Sequence, residues 1–497
     1  MSSGAPRQFT IETMFDHLNA TRSIWPRIGW GLFLCVLVGA ICIALGFGLS
    51  IWSALIGIIV LLITWRAPYF VFYLAIFGAP FIGWVVSLST GTVEIGERAF
   101  GGSVDVPVAD LLALVALAAW AFRLLFIWQK RKQADWKPWL PLGVSFSLLV
   151  IAHILSSFSI AQPNVLLVVK YALRPVLFSY IAWVLLPVNF LRSRRRFLLT
   201  LQLLIGSGVL FALDGFRSLF VFNGSLHRAQ PLPIFGISPI GTNHNVLAEW
   251  LVFIAPISLC VAALTQDRQQ KNILYVIAGF ITLIALLTFA RSAWIALLIQ
   301  AACLIYLNYR KELRRYWQKL VTGVVLLSPL AIYMAVFSSR TEVQSSTDSR
   351  SMMAGIAWSL FKNSPWIGVG AGTFAERIGA TWLFAYEFGA PLDSHGILQK
   401  LLAETGLIGL AAFGLVVIVL ARWLWRVWNA FKVNSIERRA FACLIVAVIG
   451  AFSYQIFNTT YWSAKLWLPV GIALAGGRIL LSRERTQDPD FLVAHDV

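Results

Sequence analysis

One histidine and a scatter of cations in unexpected places are the residues of this chain with chemistry to offer. His395 stands beside Asp393, directly ahead of a long apolar run. An imidazole takes a proton from a hydroxyl near neutral pH, and a neighbouring carboxylate orients the ring and raises its basicity. Arg217, Arg228, Arg291, Arg340, Arg350 and Arg377 lie in or at the edge of polar breaks, whereas Lys170 and Arg174 fall inside an apolar run. A Lys or Arg at the centre of a membrane helix costs about 2.5–3.5 kcal/mol on insertion scales, so such residues face a bundle interior or a water-filled cavity. A spacing of four puts Lys170 and Arg174 on one helix face, where like charges call for a shared counter-ion, Asp214 or a ligand phosphate. The planar guanidinium fork matches phosphate oxygens in pairs, which makes a phosphate or diphosphate the natural ligand for these arginines.

Each residue also has a plainer reading. Arg291 at a helix start can snorkel to lipid headgroups, Arg228 beside His227, Pro231 and Pro233 can be a solvated loop cation, and a lone loop histidine is commonly structural. What favours His395 is the lack of a competing signature. The five cysteines all sit in apolar runs without CxxC or metal-type spacing, so the sequence implies neither disulfides nor a metal centre, and it calls for no cofactor. The stretch Pro365 to Gly372 is rich in glycine but lacks the GxGxxG spacing and the preceding strand of a nucleotide loop.

Hydrophobic residues make up 59% of the 497 and charged residues only 12%, which places the chain among polytopic membrane proteins. The net charge of +18 is spread over short loops and not gathered on one domain, so it speaks for membrane topology and against nucleic acid. Apolar runs long enough to span (about 17–25 residues) recur near 29–48, 50–65, 67–88, 106–128, 139–159, 165–187, 197–221, 246–264, 271–288, 291–308, 319–337, 398–421, 440–459 and 463–481. The expected fold is all-α, with about 12–14 transmembrane helices. The first apolar run lies beyond residue 28 and has no small-residue cleavage site after it, so no cleavable signal is expected.

Placing the N-terminus in the cytoplasm gathers the runs Lys130–Lys132, Arg194–Arg196, Arg314–Arg315 and Arg438–Arg439 on one side, as the positive-inside rule requires. The expected order is a cytoplasmic segment 1–28, helices 1–11 over 29–337, a large periplasmic loop 338–397, helices 12–14 over 398–482, and a cytoplasmic tail 483–497. Loops 89–105, 222–245 (which brings in His244 and Asn245) and 460–462 share the external face with the large loop. Backbone at hydrocarbon depth must satisfy its own hydrogen bonds, so a polar break of this length forms an aqueous-face structure or lines a cavity. Within it, Met353, Ile356, Ala357, Leu360 and Phe361 fall on one stripe of a predicted helix over 351–361, capped by Asp348 or Ser349.

The phrase from Asp393 through His395, Gly396, Leu398, Leu401, Glu404, Gly406 and Gly409 resembles the "HNxxLxxLxExGxxG" segment of the O-antigen ligase and polymerase superfamily. Pro365-Trp366-Ile367-Gly368-Val369-Gly370 is similar to its P-x-x-G-x-G element, Ser349-Arg350 to its SR start, Phe289 to Trp294 to its SRxxW/G helix start, and Gly241 to Ala248 to its PNxLA stretch. Order and spacing agree over roughly residues 165–480; the family often has Asn where Gly396 follows the histidine, leaving Asp393 or Ser394 to orient the imidazole. The resemblance implies a metal-independent membrane glycosyltransferase of the bacterial inner membrane. It would pass a glycan from undecaprenyl diphosphate to an acceptor hydroxyl, on lipid A core or another glycan, outside the cytoplasm. By the same resemblance His395 is the general base, Arg228 and Arg291 bind the diphosphate, and Arg350, Lys170, Arg174, Asp393 and Asn245 position it. A polymerase that extends lipid-linked chains is an equal outcome within the superfamily. An anion or small-solute transporter is the alternative of another class. Against it stand the lack of an internal repeat and the collection of reactive residues on one face.

Overall fold

The computed structural model describes residues 68–89, 94–95, 98–99, 103–128, 139–160, 175–221, 228–233, 240–241, 243–308, 341–388, 395–458 and 463–486. The chain divides into two compact units, Met1–Phe72 with Val115–Gln133, and Tyr73–Leu114 with Ala134–Val497. The described helices are α1 (Pro68–Gly78), α2 (Val108–Trp128), α3 (Gly143–Ser157), a π-helix Pro175–Leu185 running into α4 (Leu186–Phe190), α5 (Arg194–Val221), α6 (His244–Leu264) and α7 (Arg268–Leu287). They continue with α8 (Arg291–Asn308), α9 (Thr341–Asn363), α10 (Phe374–Gly379), α11 (Trp382–Phe388), α12 (Ile397–Ala430), α13 (Ile436–Gln455) and α14 (Ala464–Thr486). Six of these, α5, α6, α7, α8, α12 and α14, are long and apolar enough to cross a membrane. The protein is a helical, polytopic membrane protein.

In the second unit α6 and α14 are innermost, with 83% of each span buried against 22% for α7 and α8, whose outer faces are left for lipid. Three helix starts are closed by side chains. Asn243 accepts the Asn245 N–H at 2.8 Å ahead of α6, Asp267 accepts those of Gln269 and Gln270 ahead of α7, and Ser435 accepts that of Arg438 at 3.1 Å ahead of α13.

Two sequence expectations are corrected. The run 67–88 is not one span: α1 ends at Gly78, turns follow through Pro80 and Gly83, and Val85–Ser89 is strand β1. Pro and Gly break the helix, and the β-branched pair Val85-Val86 suits a strand. β1 pairs antiparallel with β4 (Ser103–Pro107), and β2 (Glu94–Ile95) with β3 (Arg98–Ala99), so the expected loop 89–105 contains hairpin ladders. Second, the helix expected to start near 350 begins at Thr341, so Asp348 and Ser349 lie inside α9 and cap nothing. Its apolar stripe is nonetheless the packing face. Met353 and Ala357 are buried with Phe374, Ile378, Phe384 and Ala403, and Ile356 and Leu360 pack against them. The expected spans at 29–48, 50–65 and 319–337 lie outside the described residues, and of the run 165–187 only the part from Pro175 is described.

The glycine-rich stretch has a structural job. α12 is interrupted at Gly406 (φ 62°, ψ −158°), which frees the carbonyls of Ala403 and Glu404 and the amides of Leu407 and Ile408 from their helical partners. The Pro365–Gly370 segment takes all four. Val369 N–H donates to Ala403 O at 2.9 Å and Gly370 N–H to Glu404 O at 3.1 Å, while Leu407 and Ile408 donate to Pro365 O at 2.9 Å and Trp366 O at 3.1 Å. Both glycines are required for the approach. A Cβ on Gly368 (φ 72°) would stand 2.2 Å from Glu404 O, and one on Gly406 2.5 Å from the Trp366 backbone. Substituting Gly368→Ala or Gly406→Ala is expected to destabilise the protein by at least about 2 kcal/mol, from left-handed strain and overpacking together. Gly414→Ala, where a Cβ meets nothing within 4 Å, should be neutral in thermal unfolding of the detergent-solubilised protein.

Candidate functional site

Of the sequence-expected residues that the structure describes, Arg228, Asn245, Arg291 and His395 sit on helix starts and turns, whereas Arg350 lies within α9. Arg228 begins a segment pinned on both sides. Ala229 N–H donates to Leu287 O at 2.8 Å, Gln230 N–H to Ser218 Oγ at 3.0 Å and Leu232 N–H to Asp214 Oδ2 at 3.0 Å. Asp214 also pairs with the exposed Arg217 at 3.0 Å, so its carboxylate is occupied in holding this segment. Because Leu287 ends α7, Arg228 is brought beside the turn that opens α8 at Arg291.

That turn is tight. Phe289 takes a left-handed conformation (φ 55°), uncommon for a bulky residue. It is held by an edge contact with Trp294 (ring centroids 6.0 Å apart), whose Nε1–H donates to Leu286 O at 3.0 Å, while Thr288 Oγ1 accepts the Ala290 N–H at 3.3 Å. α8 then lays Ala290, Ala293 and Ala296 against Ala248 and Val252 of α6 and Tyr454 of α13. Small residues let the backbones approach and dispersion hold them, as membrane helices require. Gln300 clamps the same three helices, donating to Val252 O at 3.0 Å and Val446 O at 3.2 Å.

Tyr454 links this layer to the arginines. Its hydroxyl donates to Asn245 O at 2.6 Å and takes a second hydrogen bond from Ser292, next to Arg291. Asn245 therefore contributes a backbone carbonyl to the arrangement. Arg350, on α9, lies in the fields of Arg291 and Tyr454; burial first, and the Arg291 charge second, depress its pKa. Its Nε is buried without a hydrogen-bond partner. His244, the first residue of α6, lies in the fields of Arg228 and Arg350. The half-buried His395 precedes Gly396, which packs onto the end of α13: a Cβ there would stand 3.0 Å from Ile456 O, two residues past Tyr454. That approach gives a physical reason for glycine at a position where a side chain would press on a backbone carbonyl.

Lys170, Arg174, Asp393 and Arg340 lie outside the described residues, and Arg377 is exposed on α10. Two buried ionic pairs lie in apolar runs, where an ionisable residue is itself a signal; the motif search missed Glu249 and Lys465, and it marked Glu404 without a role. Glu249 on α6 pairs with Lys465 on α14 at 3.1 Å, the side chains 2% and 1% exposed, and also accepts from Gln455. Lys400 reaches Glu404 at 3.8 Å, and Glu404 Oε1 accepts the Phe374 N–H at 3.2 Å, tying α12 to α10. Tyr454 and Ser292 carry no such mark in the sequence. Among the described residues no group of three or more His, Cys, Asp or Glu is gathered as a metal site needs.

Residues 274–414 match the O-antigen ligase family. The O-antigen ligase domain runs from α7 through the Arg291 turn, α9 with Arg350, the glycine lock and His395 into α12; Arg228, His244 and Tyr454 lie outside it. The family is one of membrane enzymes that transfer lipid-linked glycans. None of the curated proteins matches the chain.

The Glu249–Lys465 pair stands one helical turn from Asn245 and fixes α6 against α14 beneath the site. Lys465→Met should cost about 3–5 kcal/mol by stranding the Glu249 charge, whereas Lys465→Met combined with Glu249→Gln should recover most of the loss. Chemical or thermal unfolding of the three proteins in one detergent checks both.

Proposed function

We propose that this protein transfers a glycan from undecaprenyl diphosphate to an acceptor hydroxyl at the external face of the bacterial cytoplasmic membrane, with both termini in the cytoplasm. The observation that carries the proposal is the closeness of two guanidinium groups, one of which keeps a buried N–H that no described residue answers. Arg350 lies in the field of Arg291, its Nε is buried without a hydrogen-bond partner among the described residues, and the buried Glu249 carboxylate is taken by Lys465 and Gln455. Such a group is stabilised by an anion from outside the chain, and a diphosphate offers several oxygens to planar forks.

In the proposed reaction His395 removes the acceptor hydroxyl proton as its oxygen attacks the anomeric carbon. The bond to the diphosphate breaks, its electron pair leaves with the lipid carrier, and the anomeric configuration inverts. Arg228 and Arg291 hold the diphosphate and balance the charge it gains, with Arg350, Lys170 and Arg174 as further positioning groups. Asp393 would orient the imidazole, and Asn245 would fix Tyr454 through its carbonyl. The acceptor is lipid A core oligosaccharide in a ligase, or the next lipid-linked repeat in a polymerase.

Purified protein supplied with an undecaprenyl-diphosphate-linked oligosaccharide tests this. His395→Ala is expected to lower turnover about 10²–10⁴-fold, the range for a lost general base, while carrier binding is kept. Arg291→Gln is expected to weaken carrier binding. Turnover retained by His395→Ala would rule out the base. Longer lipid-linked chains from donor alone would assign polymerase; product only with added lipid A core would assign ligase.

A further inference from the structure

At the end of α12 remote from His395, the last residues of α8 and α12 and the first of α13 enclose a groove of about 420 Å³. Its walls include Tyr306 and Asn308 of α8, Trp425 and Trp428 of α12, and Arg438 and Arg439 of α13. Arg438 lies over the Trp428 ring with its guanidinium carbon 4.0 Å from the ring centroid, and Trp425 leans on Trp428 with centroids 5.2 Å apart. Trp428 is 9% exposed, and its indole N–H is buried without an acceptor. Among the described residues no carboxylate lines the groove; Glu437, the acid of the first turn of α13, is buried and is not among the lining residues.

The surroundings identify the occupant. α5 and α7 also begin at this end, with Arg194 to Arg196, Arg268 and Lys271, and Arg422 and Arg426 lie in the last turns of α12. The rim of the groove carries exposed apolar side chains, Tyr306 at 53%, Trp425 at 52% and Val433 at 68%, beside the exposed amides of Asn429 and Asn434. A cationic pocket with an unanswered N–H donor, bordered by exposed aromatic and aliphatic side chains at the edge of a membrane bundle, matches a phosphate attached to a glycerolipid. We propose that this groove binds the headgroup of an anionic phospholipid. The phosphodiester is held by Arg438 and Arg439, its oxygen supplies the acceptor that the Trp428 N–H lacks, and the glycerol and upper chains lie on Trp425, Tyr306 and Val433. The site is separate from the glycan-transfer reading and does not depend on it. Lipid bound there would join α8 to the α12–α13 turn.

Full-length protein in detergent is titrated with short-chain phosphatidylglycerol, short-chain phosphatidylcholine or inorganic phosphate, and bound lipid is counted by native mass spectrometry. Wild-type protein is expected to hold one phosphatidylglycerol in preference to phosphatidylcholine. Arg438→Gln with Arg439→Gln should weaken it about tenfold or more, and Trp428→Phe, which removes the donor and shrinks the ring under Arg438, about threefold or more. Should the double variant not fold, Arg439→Gln alone, altering an exposed side chain, should still weaken binding about threefold. Equal binding of the two lipids, undiminished binding in the arginine variants, or displacement of the lipid by an equal concentration of inorganic phosphate would each overturn the proposal.

Discussion

Backbone hydrogen bonds that cannot be left to the surroundings are the constraint on which the rest of this molecule depends. Where α12 breaks at Gly406, two carbonyls and two amides lose their helical partners, and Pro365–Gly370 answers each of them. The break therefore does more than bend a helix. It fastens the segment carrying α9 to α11 onto the membrane bundle, through backbone contacts that admit no Cβ at Gly368 or Gly406. The same short region is tied again by Glu404, which accepts from Phe374 through its side chain and from the Ser156 hydroxyl through its carbonyl. The proposed catalytic assembly, with His395 just ahead of α12 and Arg350 on α9, relies on this joint.

Packing at the end of the second unit follows a different rule. The alanine face of α8 lets it lie close to α6 and α13, and the closeness places polar groups of three helices within reach: Tyr454 of α13, the Asn245 carbonyl of α6, and Ser292 of α8. Charges are sorted by depth in the same region. The fully enclosed Glu249 and Lys465 neutralise one another, whereas Arg350 lies in the field of Arg291, a like charge. An enclosed pair is a costly way to hold two helices together, and it makes α6 and α14 intolerant of losing either partner.

Much of this was legible without coordinates. Long apolar runs specify α5 to α8, α12 and α14 because a spanning helix must be about 20 residues of low polarity. The family motifs around Arg291, Pro365 and His395 were likewise visible as strings of residues. Hydropathy failed where the signal is local and not compositional. The run 67–88 is apolar throughout yet folds as a helix, turns and a strand, because Gly78, Pro80 and Gly83 interrupt it. The first turns of α9 are polar, so apolar periodicity alone starts that helix too late.

The sequence by itself determined the class of the protein, the placement of its principal spanning helices and the cationic and imidazole side chains available to a site, since these depend on composition and near-neighbour spacing. Tertiary structure alone decided which of them meet. Tyr454 reaches Asn245 across 209 positions and Lys465 reaches Glu249 across 216, separations over which no periodicity carries information. It also decided that the glycine-rich stretch is a backbone lock and not a ligand loop. Partners for freed carbonyls and amides are chosen by where helices cross, and a crossing is set by packing in three dimensions.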